Sequence, residues 1–207
     1  MKNTETEYKW NADSPRAFAR MRRLIGTLAR VEKTENLHLH DYYLDDENRA
    51  LRAQKIALRL RQTGTDWEAT LKTRTEVKNG KARRREYTLP LPEARNFSRA
   101  LTLLENKKTW QKANLKNLRV QFEIINKREI YLLNFGGARA EMALDNCTLA
   151  VLGRKVKMKE IELELKQGSA QKLDALAEKI SRTAQLPFQK NSKVFSAEQL
   201  LQLWGEK

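Results

Sequence analysis

Cysteine, histidine, proline and glycine are all scarce in this chain, and each scarcity removes a class of explanation. Cys147 is the sole cysteine among 207 residues, so neither an intramolecular disulfide nor a cysteine-based zinc cluster can form. The two histidines, His38 and His40, share one face of an extended segment with no third His or Cys nearby, which suits a partly exposed pair better than a metal centre. Four prolines and eight glycines leave no linker or low-complexity stretch long enough to divide the chain, so residues 1–207 read as one domain. No apolar run approaches the length of a membrane span, and Met1-Lys2-Asn3-Thr4-Glu5 lacks the apolar core of a signal peptide. The expectation is a cytoplasmic protein with no membrane partner.

Charge is what the chain has in abundance. Lys and Arg number 41 against 26 Asp and Glu, for a net charge of +15. Such an excess implies an anionic partner: nucleic acid, an acidic membrane surface or a highly charged small anion. No recognised nucleic-acid motif is present, and the basic residues interleave with glutamates instead of forming an aromatic-studded patch, which disfavours nucleic acid. The surplus positive charge outside any binding site has two explanations, a second anionic partner or solubility alone.

Two acidic stretches frame the sequence, Glu5-Thr6-Glu7-Tyr8-Lys9-Trp10 and Glu160-Ile161-Glu162-Leu163-Glu164. In a strand, alternation puts Glu5, Glu7 and Lys9 on one face, and Glu160, Glu162 and Glu164 on one face of the other. Carboxylates stacked this way repel one another unless they meet water, basic side chains or metal ions. Between the two stretches the pattern predicts a helix over 16–30, opened by Asp13-Ser14-Pro15 and carrying Phe18, Met21, Leu24, Ile25 and Leu28 on its apolar face. Strands are predicted at 31–44, 56–63, 66–75, 82–91, 118–125, 128–135, 139–149 and 156–166. Lys78-Asn79-Gly80-Lys81 marks a hairpin. Helical turns are expected at 49–55, helices over 93–113 and from Gly168-Ser169 onward, and a short helix over 196–204. The resulting class is α+β, and consecutive antiparallel strands in about that number commonly close into a barrel, which removes the edges.

The strand faces are unequal. Arg59 and Arg61 oppose Leu58 and Leu60; Glu68, Thr70 and Lys72 oppose Trp67, Ala69 and Leu71; Arg84, Glu86 and Thr88 oppose Tyr87 and Leu89. Glu141, Ala143 and Asp145 share a further face, less cleanly. Periodicity alone leaves two arrangements open: charged faces lining an enclosed interior, or an ordinary sheet with helices on one side and water on the other. Acidic strands at both ends with basic strands between them suit the first. There Arg and Lys would chelate an anion while divalent cations bridge it to carboxylates, and polyphosphate is a ligand of that description. The choice of Arg84 over Arg83 or Arg85 depends on register, since a slip of one residue reverses the face.

Taken in order, these segments resemble the CYTH superfamily of triphosphate tunnel metalloenzymes. Glu5-x-Glu7-x-Lys9 is similar to the signature strand. Ala50-Leu51-Arg52-Ala53 with Ile56-Ala57-Leu58-Arg59-Leu60-Arg61, then Trp67-Glu68-Ala69-Thr70-Leu71-Lys72 and Arg84-x-Glu86, resemble the next blocks. Ala143-Leu144-Asp145, the strand Glu160 to Lys166 and Asn191-Ser192-Lys193 resemble the closing ones. The Ala50 to Arg61 block looks most like the bacterial inorganic triphosphatase branch. Leu44-Asp45-Asp46-Glu47 departs from the usual Asp-Thr-Pro, which bears on the loop's geometry. The resemblance implies an eight-stranded antiparallel β-barrel enclosing a tunnel, with helices packed outside, and hydrolysis of inorganic triphosphate with Mg²⁺ or Mn²⁺. It implies that Lys9, Arg59, Arg61, Lys72, Arg84, Arg128 and Lys193 hold the phosphate chain. Glu5, Glu7, Asp145, Glu160, Glu162 and Glu164 would be metal positions, Glu160 and Glu162 foremost in their strand. Glu86 and Asp145 join Glu5, Glu7 and Lys9 in the catalytic set, and Glu141 is a weaker candidate. Competing readings are a class IV-type adenylyl cyclase, a thiamine or nucleoside triphosphatase, and a protein that only binds polyphosphate or nucleic acid. Oligomeric state is open, a homodimer included.

Overall fold

The computed structural model describes residues 2–73, 75–78, 80–107, 110, 115–189 and 191–205. In chain order these form β1 (Lys2–Asn11), α1 (Ala17–Leu28), β2 (Arg30–Asp45), α2 (Ala50–Ala53), β3 (Ala57–Thr63), β4 (Asp66–Lys72), β5 (Glu76–Lys78), β6 (Lys81–Pro90), α3 (Phe97–Glu105), β7 (Arg119–Phe135), β8 (Ala138–Val151), β9 (Arg154–Gln167), α4 (Ala170–Ala184) and α5 (Lys193–Gly205). The strands run β1-β9-β8-β7-β2-β3-β4-β6, every neighbour antiparallel, and β6 pairs back onto β1 with Glu5 opposite Arg84. That last pairing closes an eight-stranded barrel and removes its edges. Short β5 lies alongside β6 beyond the end of β4.

The apolar face of each strand points outward, where helices cover it. α1 and α4 pack on β1, β8 and β9, burying Trp10, Met21, Ile25, Met142, Leu144, Ile161, Leu163 and Ile180 in one cluster. A second cluster joins Leu58, Leu60, Trp67 and Ala69 to Ala100 and Leu104 of α3. α5 behaves differently: its Ala197 and Leu201 meet Tyr43, Phe122, Cys147 and Leu149, which lie on the same strand faces as the charged residues. It therefore fills part of one end of the barrel.

Helix boundaries follow from local hydrogen bonding. Ser169 caps α4 by accepting from the Lys172 N–H at 3.4 Å, and Ser192 precedes α5 and accepts from the Phe195 N–H at 3.1 Å. α5 thus starts three residues earlier than the expected 196. Asp13-Ser14-Pro15 supplies no side-chain cap to α1, which starts at Ala17, and the Asp13 carboxylate accepts from the Lys159 backbone N–H at 3.1 Å.

Other boundaries also differ. The strands expected at 118–125 and 128–135 are one strand, β7, because β2 and β8 pair with it continuously through Asn126 and Lys127. The strand expected at 66–75 stops at Lys72 and resumes as β5. Among the described residues of 93–113 the α-helix is α3, and 108, 109 and 111–113, like Asn79 of the hairpin signal, lie outside the described residues. Among the described residues no helix is long and apolar enough to cross a membrane.

Candidate active site

Alternation along closed, tilted strands brings the polar faces together inside the barrel. β9 places Glu160 beside Asp145 of β8 and Glu162 beside Lys9 of β1. β7 places Arg128 beside Asp145, β6 places Arg84 beside Glu5 and Glu86 beside Lys72, and β2 places Asp41 beside Arg61. Glu5, Glu7, Lys9, Asp41, Arg59, Asp145, Glu160 and Glu162 are all buried. The enclosed arrangement, not the open sheet, is the one adopted.

One wall is an acidic corner. Asp145, Glu160 and Glu162 each bring a carboxylate oxygen within 4.8 Å of the others. The Lys193 ammonium, carried in by the first residue of α5, donates to all three, at 2.8 Å to Asp145 and 2.7 Å to Glu162. Lys9 joins from β1, bonded to Glu162 and 3.1 Å from Glu7. Arg128 makes a two-pronged contact with Asp145, both arms at 2.7 Å, and reaches Glu162 at 2.6 Å.

Burial on its own would raise all three pKa values in this corner. At Asp145 the neighbouring Lys193 and Arg128 outweigh it and hold the carboxyl down to about 2. At Glu162, Lys193, Lys9 and Arg128 likewise prevail over burial and keep it well below the ordinary range. At Glu160 burial prevails, despite Lys193 and Lys9, and with Glu162 beside it pushes the carboxyl up to about 7. One proton is thus retained by the Glu160–Glu162 pair near neutrality.

The opposite wall is cationic. Arg61 grips Asp41 through Nε and Nη2 at 2.6 and 2.7 Å, and Arg59 lies 3.8 Å from the same carboxylate while donating to Thr70 Oγ1 at 3.0 Å. Arg84 bonds Glu5 and approaches Glu7 at 3.0 Å; Lys72 lies 3.0 Å from Glu86. For Glu5 burial again opposes ionisation, but Lys72 and Arg84 more than offset it and hold the carboxyl well below its ordinary value. Lys72 is itself pushed down, by burial and by Arg84.

Every residue expected at the site therefore faces the barrel interior, but they are not equally close. Glu164 pairs with Lys166 at 2.8 Å and stands outside the acidic corner, and Glu86 belongs to the Lys72 side. Two residues not anticipated from the sequence take part. Asp41 orients Arg61, and buried Asn126 donates to Asp145 at 2.8 Å.

Paired buried charges are seldom more stable than an apolar filling of the same volume, so stability alone does not account for this interior. The corner has the hard anionic oxygens that divalent cations such as Mg²⁺ prefer. As a carboxylate, Glu160 has one buried oxygen, Oε2, with no donor among the described residues. The donor set fits a divalent cation.

A CYTH domain model matches residues 3–195. An inorganic triphosphatase of Haemophilus influenzae is 30% identical over 159 residues, which are 77% of this chain and 45% of that protein. The chain thus spans less than half the length of this curated relative. Among solved structures, a Hippeastrum protein described by its dominant triphosphatase activity superposes with a TM-score of 0.68 at 18% identity, covering 97% of this chain and 96% of that one. The triphosphatase of the Mimivirus capping enzyme superposes with a TM-score of 0.59 at 14% identity, covering 88% and 90%. At such identities the two superpositions speak for a shared fold alone. The family match runs through all eight strands of the barrel, and the chain belongs to the CYTH domain family.

Proposed function

We propose that this chain hydrolyses inorganic triphosphate to pyrophosphate and phosphate inside the barrel, with Mg²⁺ or Mn²⁺ as the activating ion. The observation that carries this reading is the facing of an acidic corner (Asp145, Glu160, Glu162) and a cationic wall (Arg59, Arg61, Lys72, Arg84) across one enclosed interior. The similarity to the Haemophilus influenzae inorganic triphosphatase supports it.

In this reading Lys9, Arg59, Arg61, Lys72, Arg84, Arg128 and Lys193 bind the phosphate chain. Arginine suits bidentate contact with phosphate oxygens, and lysine supplies a point charge. Asp145, Glu160 and Glu162 hold a divalent ion, with Glu5 and Glu7 as the acidic positions of the adjoining strand; Glu164 and Glu86 are peripheral to it. Such an ion, when bound, neutralises phosphate charge and lowers the pKa of a coordinated water. Water attacks the terminal phosphorus, the bond to the bridging oxygen breaks, and pyrophosphate departs with the charge that develops on that oxygen. The guanidinium groups stabilise that charge, and burial strengthens their effect. Little covalent chemistry is required of the protein beyond positioning and neutralisation. The reading also takes the reaction to be cytoplasmic, where a lone reduced cysteine is at home.

The test is a substrate panel of tripolyphosphate, ATP and thiamine triphosphate, side by side with each metal. Phosphate release greatest from tripolyphosphate supports the proposal. Cyclic AMP from ATP with little turnover of tripolyphosphate would replace it with a cyclase, and binding without turnover of any substrate would leave only a polyanion-binding protein.

A further inference from the structure

The two ends of the barrel differ in charge. At one end, a cavity of about 590 Å³ extends from Lys9, Lys72 and Arg84 in the interior outward to Arg52 and Lys55, and these basic residues outnumber the Glu7 and Glu198 that also line it. α2 is held there by Asp45, whose carboxylate accepts from the Leu51 and Arg52 N–H groups at 3.0 and 2.9 Å. The Arg52 guanidinium is ion-paired through Nη1 with Glu198 of α5 at 3.3 Å, while Lys55 is exposed. α5 fills the remainder of this end with Ala197 and Leu201, so the open passage runs between α2 and the first turn of α5.

The other end is acidic. Inward-facing Glu68, Glu86, Glu141 and Glu164 have side chains 37%, 19%, 20% and 22% exposed, against 0% for Asp145 and Glu160 deeper in. This graded exposure marks a second opening, rimmed by carboxylates. Lys166 pairs with Glu141 and Glu164, but Glu68 at 3.4 Å from Arg59 and Glu86 at 3.0 Å from Lys72 turn toward deeper cations.

We infer that polyanionic substrate reaches the interior from the α2–α5 end alone, drawn in by Arg52 and Lys55, while the acidic rim excludes it from the opposite end. This rests on the triphosphate reading above. A low-dielectric passage lined by one sign of charge focuses the field and raises the local concentration of the opposite ion, and a rim of like charge does the reverse. Neither Arg52 nor Lys55 reaches the acidic corner, so their effect falls on capture and not on the chemical step.

The experiment compares kcat and kcat/KM for tripolyphosphate over a range of ionic strength in the wild type, Arg52→Glu/Lys55→Glu, Arg52→Gln/Lys55→Gln and Glu68→Lys. Tripolyphosphate binding by calorimetry and thermal melting are measured alongside. The double reversal should lower kcat/KM about tenfold at low salt, with kcat nearly unchanged and a flatter salt dependence. The double glutamine variant should show a smaller loss in the same direction, so the result does not hang on one variant folding. Glu68→Lys reverses one charge of the excluding rim and should raise kcat/KM at low salt, by about twofold. An unchanged kcat/KM in both double variants, or a fall in Glu68→Lys, overturns the inference while leaving the triphosphate reading intact. If the wild type neither binds nor hydrolyses tripolyphosphate, that reading itself fails.

Discussion

Lys193, the first residue of α5, places its ammonium 2.8 Å from the Asp145 carboxylate of β8, across 48 positions of sequence. The same ammonium also bonds Glu160 and Glu162. Without it, three buried carboxylates would share Lys9 and Arg128, and mutual repulsion would increase. Lys193→Met should therefore lower metal-free stability by about 3–5 kcal/mol, the usual cost of orphaning a buried charge. Millimolar Mg²⁺ should restore part of the loss, since a divalent cation replaces the missing positive charge. Urea denaturation with and without metal checks this; an equal loss under both conditions contradicts it.

Asp41 acts on two arginines at once, through the two-pronged contact to Arg61 and the longer approach of Arg59. Asp41→Ala leaves two guanidinium groups near each other without the carboxylate that orients them. The expected result is a KM for tripolyphosphate raised about tenfold with a smaller change in kcat, as misplaced phosphate contacts cost binding first. Steady-state kinetics decide; a lower KM would mean that Asp41 competes with substrate and does not orient its ligands.

The pH dependence of the acidic corner has a definite sign. Glu160, pushed up to about 7, holds a proton that a divalent cation must displace. Metal affinity should fall about tenfold for each pH unit below about 7 and level off above it, with proton release on binding. In the metal-free protein, the folded state binds this proton more tightly than the unfolded chain. Its contribution to stability is fully present below the ordinary glutamate value and is lost as pH rises from there through about 7. Glu5, Asp145 and Glu162 are shifted down, so theirs is present above the ordinary carboxylate range and lost as pH falls through their lowered values. Calorimetry of Mn²⁺ binding between pH 5.5 and 8.5 tests the first statement. Urea titrations without metal should show the Glu160 contribution as a negative slope removed in Glu160→Gln.

The strand faces were legible because clean alternation divides each strand into a greasy and a charged side. Arg84, Glu86 and Thr88 against Tyr87 and Leu89 left open whether the charged side met water or an enclosed interior; β6 pairing back onto β1 encloses it, and Arg84 meets Glu5. Asp41 was hidden because both faces of its segment are mixed: Leu39, Asp41 and Tyr43 point in, while His38, His40 and Tyr42 point out, with His40 stacked on Tyr42. Asn126 and Lys127 looked like a break between two strands, since a polar pair in an apolar run resembles a turn. In the barrel the Asn126 amide has a partner in Asp145, and the strand continues. Period two also cannot tell Glu160 and Glu162 from Glu164. Strand tilt carries successive inward residues from one end of the barrel to the other, and the neighbouring strand decides: Asp145 beside Glu160, but Glu141 beside Glu164.

Gly80 turns the β5–β6 hairpin at φ +78°, and a Cβ there would lie 2.6 Å from Cγ of Phe188. Phe188 packs on Tyr8 and Trp10, whose strand carries Glu7 and Lys9. Gly80→Ala should destabilise the fold by about 1–3 kcal/mol through backbone strain and overpacking together. A thermal melt measures the effect; unchanged stability would show that the ring moves aside freely.

The most direct test of the central claim is phosphate release from tripolyphosphate by the wild type and by Glu162→Gln, each with Mg²⁺, with Mn²⁺ and with excess chelator. The account predicts metal-dependent turnover in the wild type, abolished by chelator, and a loss of at least about a hundredfold in Glu162→Gln, the carboxylate contacted by Lys9, Arg128 and Lys193 at once. Turnover that survives the chelator, or a Glu162→Gln variant as active as the wild type, would contradict it.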